Sequence, residues 1–182
     1  MKTLKTIQTL AKIGKVLSCI AFIFACIGFG GSVVGALSAA FGGGFAIKLG
    51  GVTIYDLFGG ARYSELEGVC AALLGWMIVC AGEAVVAKFA ELYFKRELAA
   101  GTPFTLSGAK ELTRLGILTL AVPTGCAVLA AVVSGIAASF LHASETMDVH
   151  FDNGAGIALG VMFLAAALLC RLGAEQTQAR QA

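Results

Sequence analysis

Glu83 is the one ionisable residue placed well inside an apolar run, the stretch Leu66 to Val86. A carboxylate in hydrocarbon is unfavourable, so such a residue marks an ion or proton path by default, or it pairs with a cation. Counted from the outer end of its run, Glu83 sits near the inner interface. There it reaches the headgroups or pairs with Arg114 at the start of the next run, and these structural roles outweigh a transport path.

The other residues able to do chemistry are few. His142, Glu145, Asp148, His150 and Asp152 crowd one short segment without Lys or Arg. Imidazole and carboxylate together suit zinc or manganese, but the segment lacks the helical His-x-x-x-His spacing of many zinc sites and reads as a solvated loop. Cys19, Cys26, Cys70, Cys80, Cys126 and Cys170 all fall inside or at the edge of apolar runs, with no CxxC pair. They read as small packing residues, remote from charges that would stabilise a thiolate. No GxxxxGK, HExxH or GxSxG pattern occurs. The inventory argues against an enzyme, and it assigns no catalytic, cofactor or metal residue. What remains is recognition: Tyr93, Phe94, Lys95, Arg96 and Phe104 interleave aromatic and basic side chains, the anchors that interfaces favour.

The elements that hold these residues are membrane spans. With 58% hydrophobic residues and 13% charged, and a mean hydropathy of +0.89, the chain is too apolar for an ordinary soluble domain. Four apolar runs, over about 16–40, 66–98, 112–141 and 154–172, are each long enough to cross roughly 30 Å of hydrocarbon. The expected fold is an all-α integral membrane protein with four transmembrane helices in a bundle. The domain layout is a basic amphipathic helix over 1–15, a transmembrane domain over 16–173 and a cytoplasmic tail over 174–182.

Within the first segment Lys5, Gln8, Lys12 and Lys15 recur at helical spacing, which suits a helix lying on anionic headgroups before the chain turns into the first span. Ala36-Leu37-Ser38 resembles a signal cleavage site, but the apolar run before it is much longer than the 7 to 15 or so residues of a signal peptide. Gly28, Gly31, Ser32, Gly35 and Ala36 then offer a face that another helix can approach closely, and Gly156-x-x-x-Gly160 offers a second one.

Between the first two runs, FAIKL and VTIYD flank Gly50-Gly51, which predicts a small extracytoplasmic β-hairpin with a two-residue turn. The second run continues as a helix to about Leu98, with Glu91 and Lys95 as an i,i+4 pair. Thr102-Pro103 then forces an extended step, and Thr105 or Ser107 caps the next helix. Pro123 predicts a kink in that helix, with the Thr119 and Thr124 hydroxyls resatisfying the freed backbone.

Of 13 Lys and Arg, all but Lys48 and Arg62 precede the first run, follow the last, or sit around the polar elbow from Glu91 to Gly116. By the positive-inside rule both termini and the elbow are cytoplasmic.

The elbow sequence Phe94-Lys95, then Gly101-Thr102-Pro103-Phe104-Thr105, then Leu112-Thr113-Arg114-Leu115-Gly116, resembles a family of bacterial four-span membrane proteins catalogued as domain of unknown function 2975. Leu172-Gly173-Ala174-Glu175 looks like that family's closing segment, which runs on into further acidic residues where this chain reads TQARQA. The resemblance implies the bacterial cytoplasmic membrane and a partner in the form of a small helix-turn-helix transcription regulator, and it carries no catalytic residues. On this reading the chain is a non-enzymatic sensor or partner-binding module. It touches the lipid bilayer and the regulator, binds no nucleic acid directly and is able to form a homo-oligomer. The alternative is an oligomeric transporter or channel for small solutes or ions, using Glu83 and the Pro123 kink.

Overall fold

A backbone placed in hydrocarbon finds no water to hydrogen-bond, so a spanning segment must satisfy its own N–H and C=O groups, and a helix does so within one segment. The computed structural model, which describes residues 2–41, 48–49, 52–57, 65–100, 106–143 and 154–179, is accordingly dominated by four long helices. These are α1 (Lys2–Ala40), α3 (Leu66–Ala100), α4 (Leu106–Leu141) and α5 (Gly154–Ala179). All four are long and apolar enough to cross a membrane.

The first helix corrects an expectation. α1 is continuous from Lys2 to Ala40, with no turn between the basic segment and the span. Nothing in Gly14-Lys15-Val16 breaks the backbone ladder, and Gly14 serves a different purpose: the Phe94 ring of α3 lies 2.7 Å from where a Cβ would be.

Between α1 and α3, strands β1 (Lys48–Leu49) and β2 (Val52–Thr53) pair antiparallel, Leu49 opposite Val52. The second strand is shorter than VTIYD. Ile54–Leu57 instead forms a helical turn, α2, and the Thr53 hydroxyl donates to the Asp56 carboxylate from the position just before it. That side-chain bond links Thr53 to the helical turn and competes with further strand pairing. The first part of FAIKL, Phe45 to Ile47, lies outside the described residues.

α4 begins before the expected Leu112, so Ser107 lies inside the helix; Thr105 is outside the described residues. The helix is unbroken across Pro123. The Thr119 hydroxyl donates back to the Leu115 carbonyl at 2.8 Å, one turn before the gap it was expected to fill. At the far end His142 adopts φ 59° and the Ala143 N–H bonds the Ala138 carbonyl at 2.9 Å. This is a Schellman cap with histidine in the left-handed position usually held by glycine.

Two compact units divide the chain, cut within α1 after Phe22, within α3 after Ala84 and within α4 after Pro123. One comprises Met1–Phe22, Val85–Pro123 and Asp152–Ala182. Its core joins Ala90 and Tyr93 of α3, Leu112 and Leu115 of α4 and Ala167 of α5. Here α4 and α5 run antiparallel and meet at glycines: a Cβ on Gly160 would lie 2.6 Å from Leu120 Cγ, and one on Gly116 would lie 2.9 Å from Leu164 Cγ. The other unit comprises Ile23–Ala84 and Thr124–Phe151. Its core joins Ala36 and Ala39 of α1 to Val69, Cys70 and Leu73 of α3, with Cys80 pressed against Gly28. Ser32 and Ala36 are buried on the small-residue face of α1.

Large apolar side chains cover the outside. Phe24, Phe140, Met162 and Leu169 are each more than 60% exposed, among many others on the four helices. In water such contiguous apolar surface would drive association, whereas against lipid it is the ordinary surface of a span.

Gly160→Ala is expected to destabilise the α4–α5 contact by about 1–3 kcal/mol, because the new methyl meets Leu120 and the nearby Gly116 carbonyl. Adding Leu120→Ala should recover part of that loss. Thermal unfolding in detergent of the two variants checks the pair, and equal stability of Gly160→Ala and the parent chain would refute the close approach.

Candidate functional site

The elbow is built from the last turns of α3 and the first turns of α4, both in the unit that holds Val85–Pro123. Helical spacing decides the fate of its residues. Ala90 and Tyr93 share a stripe facing α4 and α5, and Tyr93 is only 8% exposed. Phe94 is half-buried, packed on Gly14 of α1 and edge-to-face with Tyr93 at 5.3 Å between ring centroids. The two aromatic side chains expected to stand exposed as docking anchors are therefore used for packing within the chain. Lys95 and Arg96 are exposed, and Arg96, three residues on from Tyr93, lies along the same groove; Phe104 lies outside the described residues.

Arg96 crosses to α4, its guanidinium donating to Glu111 at 2.7 Å. Glu91 takes Lys88 rather than the expected Lys95, at 2.8 Å with i,i+3 spacing, and the Lys88 ammonium also lies 5.1 Å from the Phe22 ring centroid of α1. Lys88 has both a carboxylate and an aromatic face within reach on one side of α3, which favours it over the solvated Lys95.

A shallow groove of about 90 Å³ runs beside the Arg96–Glu111 pair, with Phe89, Leu92, Tyr93, Arg114 and Leu118 along it. Arg114 is exposed at its edge. On the same helix one Glu97 carboxylate oxygen is buried with no hydrogen-bond partner among the described residues. Glu97 and Glu111 were not singled out in the sequence, where they look like two more polar residues of an elbow. Only the packing of α3 on α4 distinguishes them.

A larger open groove, about 550 Å³, lies between α4 and α5 in the same unit and is lined by Leu106, Ala109, Lys110, Thr113, Arg171 and Glu175. Arg171 donates through Nε to Glu175 at 2.9 Å.

Glu83 belongs to the other unit, at the midpoint of α3, and is exposed. Among the described residues no His, Cys, Asp and Glu group is placed to hold a metal ion; of the segment from His142 to Asn153 only His142 and Ala143 are described. All six cysteines are free thiols: Cys70 is buried against the Ala36 carbonyl, Cys26 is exposed, and the rest lie between.

Four spans, an apolar exterior and charge gathered at helix ends define the class: this is a multi-pass membrane protein. Comparison with protein-family models, with curated proteins and with solved structures finds no match.

The packing separates residues that hold the elbow together from those free to meet a partner. Phe94→Ala should lower unfolding stability by about 2 kcal/mol, less than the ~3–5 of a fully buried phenylalanine. Arg96→Ala should change it by under about 1 kcal/mol, since the Arg96–Glu111 pair is solvated. Chemical denaturation in mild detergent measures both, and the reverse order would overturn the assignment.

Proposed function

We propose that the protein is a non-enzymatic membrane module whose elbow docks a small cytoplasmic helix-turn-helix regulator, with the spans or the hairpin receiving a signal from the envelope. On this reading the termini and elbow face the cytoplasm and the hairpin faces outward, the side that the distribution of Lys and Arg favours. The observation that carries the proposal is the exposed basic set Lys95, Arg96 and Arg114 on two helix ends joined by the Arg96–Glu111 pair. Charges on a preorganised platform lose little side-chain freedom when a partner binds. An acidic surface on the regulator is the matching chemistry, and rim charges of this kind set the association rate and its salt dependence. The regulator itself comes from the resemblance of the elbow to the four-span family.

Pull-down of the regulator by the solubilised full chain tests it. Lys95→Glu with Arg96→Glu should reduce recovery by tenfold or more, on the order of two charge pairs, and Phe104→Ala should reduce it further. Undiminished recovery would remove the elbow as the docking surface.

A second reading, an oligomeric transporter or channel, draws on Glu83. Glu83 is exposed on α3 toward the inner end of the apolar stretch, because the helix runs on into the polar elbow; a carboxylate facing lipid there is unfavourable, a penalty that a second copy covering it would relieve. Solute or ion flux into liposomes should then fall with Glu83→Gln; unchanged flux would leave this reading without its residue.

A further inference from the structure

We propose that the groove between α4 and α5 binds the headgroup of an anionic phospholipid, with the phosphate held between Lys110 and Arg171. This rests on the membrane assignment and is independent of the regulator.

The groove combines the features such a ligand needs. Its volume of about 550 Å³ is of headgroup size, and two cations and a hydroxyl, Lys110, Arg171 and Thr113, line it. The bond to Glu175 engages only Nε of Arg171, so the four terminal N–H donors are left for a phosphate, which a guanidinium binds in bidentate fashion. Lys110 is exposed and has no ion-pair partner among the described residues. Glu175 is the one opposing charge; it orients Arg171 and leaves the groove with a net positive charge.

The surroundings distinguish a lipid from a soluble phosphate. On α4 the stripe through Lys110 and Thr113 continues one turn on to Ile117, and on α5 the stripe through Arg171 begins at Leu168. Both Ile117 and Leu168 are more than half exposed. Because α4 and α5 are antiparallel, these two residues lie on the same side of the charged pair, toward the apolar part of both spans. A headgroup seated between Lys110 and Arg171 would place its acyl chains along Ile117 and Leu168. Basic pockets between spans are suited to anionic headgroups for this reason.

Native mass spectrometry of the full chain, delipidated and titrated with phosphatidylglycerol or phosphatidylcholine, tests the assignment. Preferential retention of phosphatidylglycerol is expected, weakened about fivefold by Lys110→Gln and about fivefold by Arg171→Gln, on the scale of one basic residue near a membrane surface. Glu175→Gln should tighten it, a sign that a merely structural role would not produce. All three positions are exposed, and unchanged thermal unfolding will show that the variants fold. Retention insensitive to both substitutions overturns the proposal. So does an equal loss with Lys12→Gln, which would mean general attraction to a basic face, or equal protection against unfolding by inorganic phosphate, which would assign the groove to a soluble anion.

Discussion

Close approach of helices at small residues is what the rest of this structure depends on. In lipid the apolar side chains gain nothing by leaving their solvent, so helix association relies on dispersion contacts made at short range. Glycine at 116 and 160 lets α4 and α5 come near enough for Leu120 and Leu164 to seat against the opposing backbone. Gly14 admits the Phe94 ring in one unit, and Gly28 admits Cys80 in the other. Two buried hydroxyls of α4 need no outside partner: Thr119 donates to Leu115 and Ser134 to Ala131. Such i−3 and i−4 bonds let polar residues sit among apolar ones without orphaned donors.

That arrangement separates two kinds of surface. The unit built from Ile23–Ala84 and Thr124–Phe151 is almost free of charge along its long helices, apart from Glu83 and the ends. The unit containing the elbow gathers Lys88, Lys95, Arg96, Lys110, Arg114 and Arg171, several of them joined to Glu91, Glu111 and Glu175. Recognition chemistry therefore has one natural location. Within that unit the exposed cations fall in two places, at the end of α3 with the start of α4 and along the groove between α4 and α5.

Much of the architecture was legible because the signals are compositional. Long uncharged runs announce spans whatever their neighbours do, and small residues every four positions on α1 announced a packing face, on which Ser32 and Ala36 are indeed buried. Details that depend on a neighbour were not. Glu91 and Lys95 have ideal spacing for a pair, yet Lys88 also has the Phe22 ring of α1 beside it and takes the carboxylate. Tyr93 and Phe94 stand in a polar stretch and read as exposed, but adjacent residues on a helix point about 100° apart, and both directions are occupied, by α4 and α5 for Tyr93 and by Gly14 for Phe94. The strand VTIYD ends at Thr53, whose hydroxyl bonds the Asp56 carboxylate of the helical turn that follows, a competition between two local structures that alternation alone does not reveal.

The sequence by itself determined the medium and the element type: four apolar stretches of spanning length commit the chain to lipid, and lipid commits each stretch to a helix through its unsolvated backbone. It also determined where charge collects, since Lys and Arg gather at the ends of the runs and around the elbow rather than in their middles. Only the tertiary structure decided which polar residues are free. Arg96 bound to Glu111, Tyr93 packed on α4 and α5, and Lys110 and Arg171 lining one groove all bring together residues of different helices. Such pairings follow from the rotation and register of one helix against the next, and those are set by contacts of a few tenths of an ångström at glycines, a scale that hydropathy and spacing do not record.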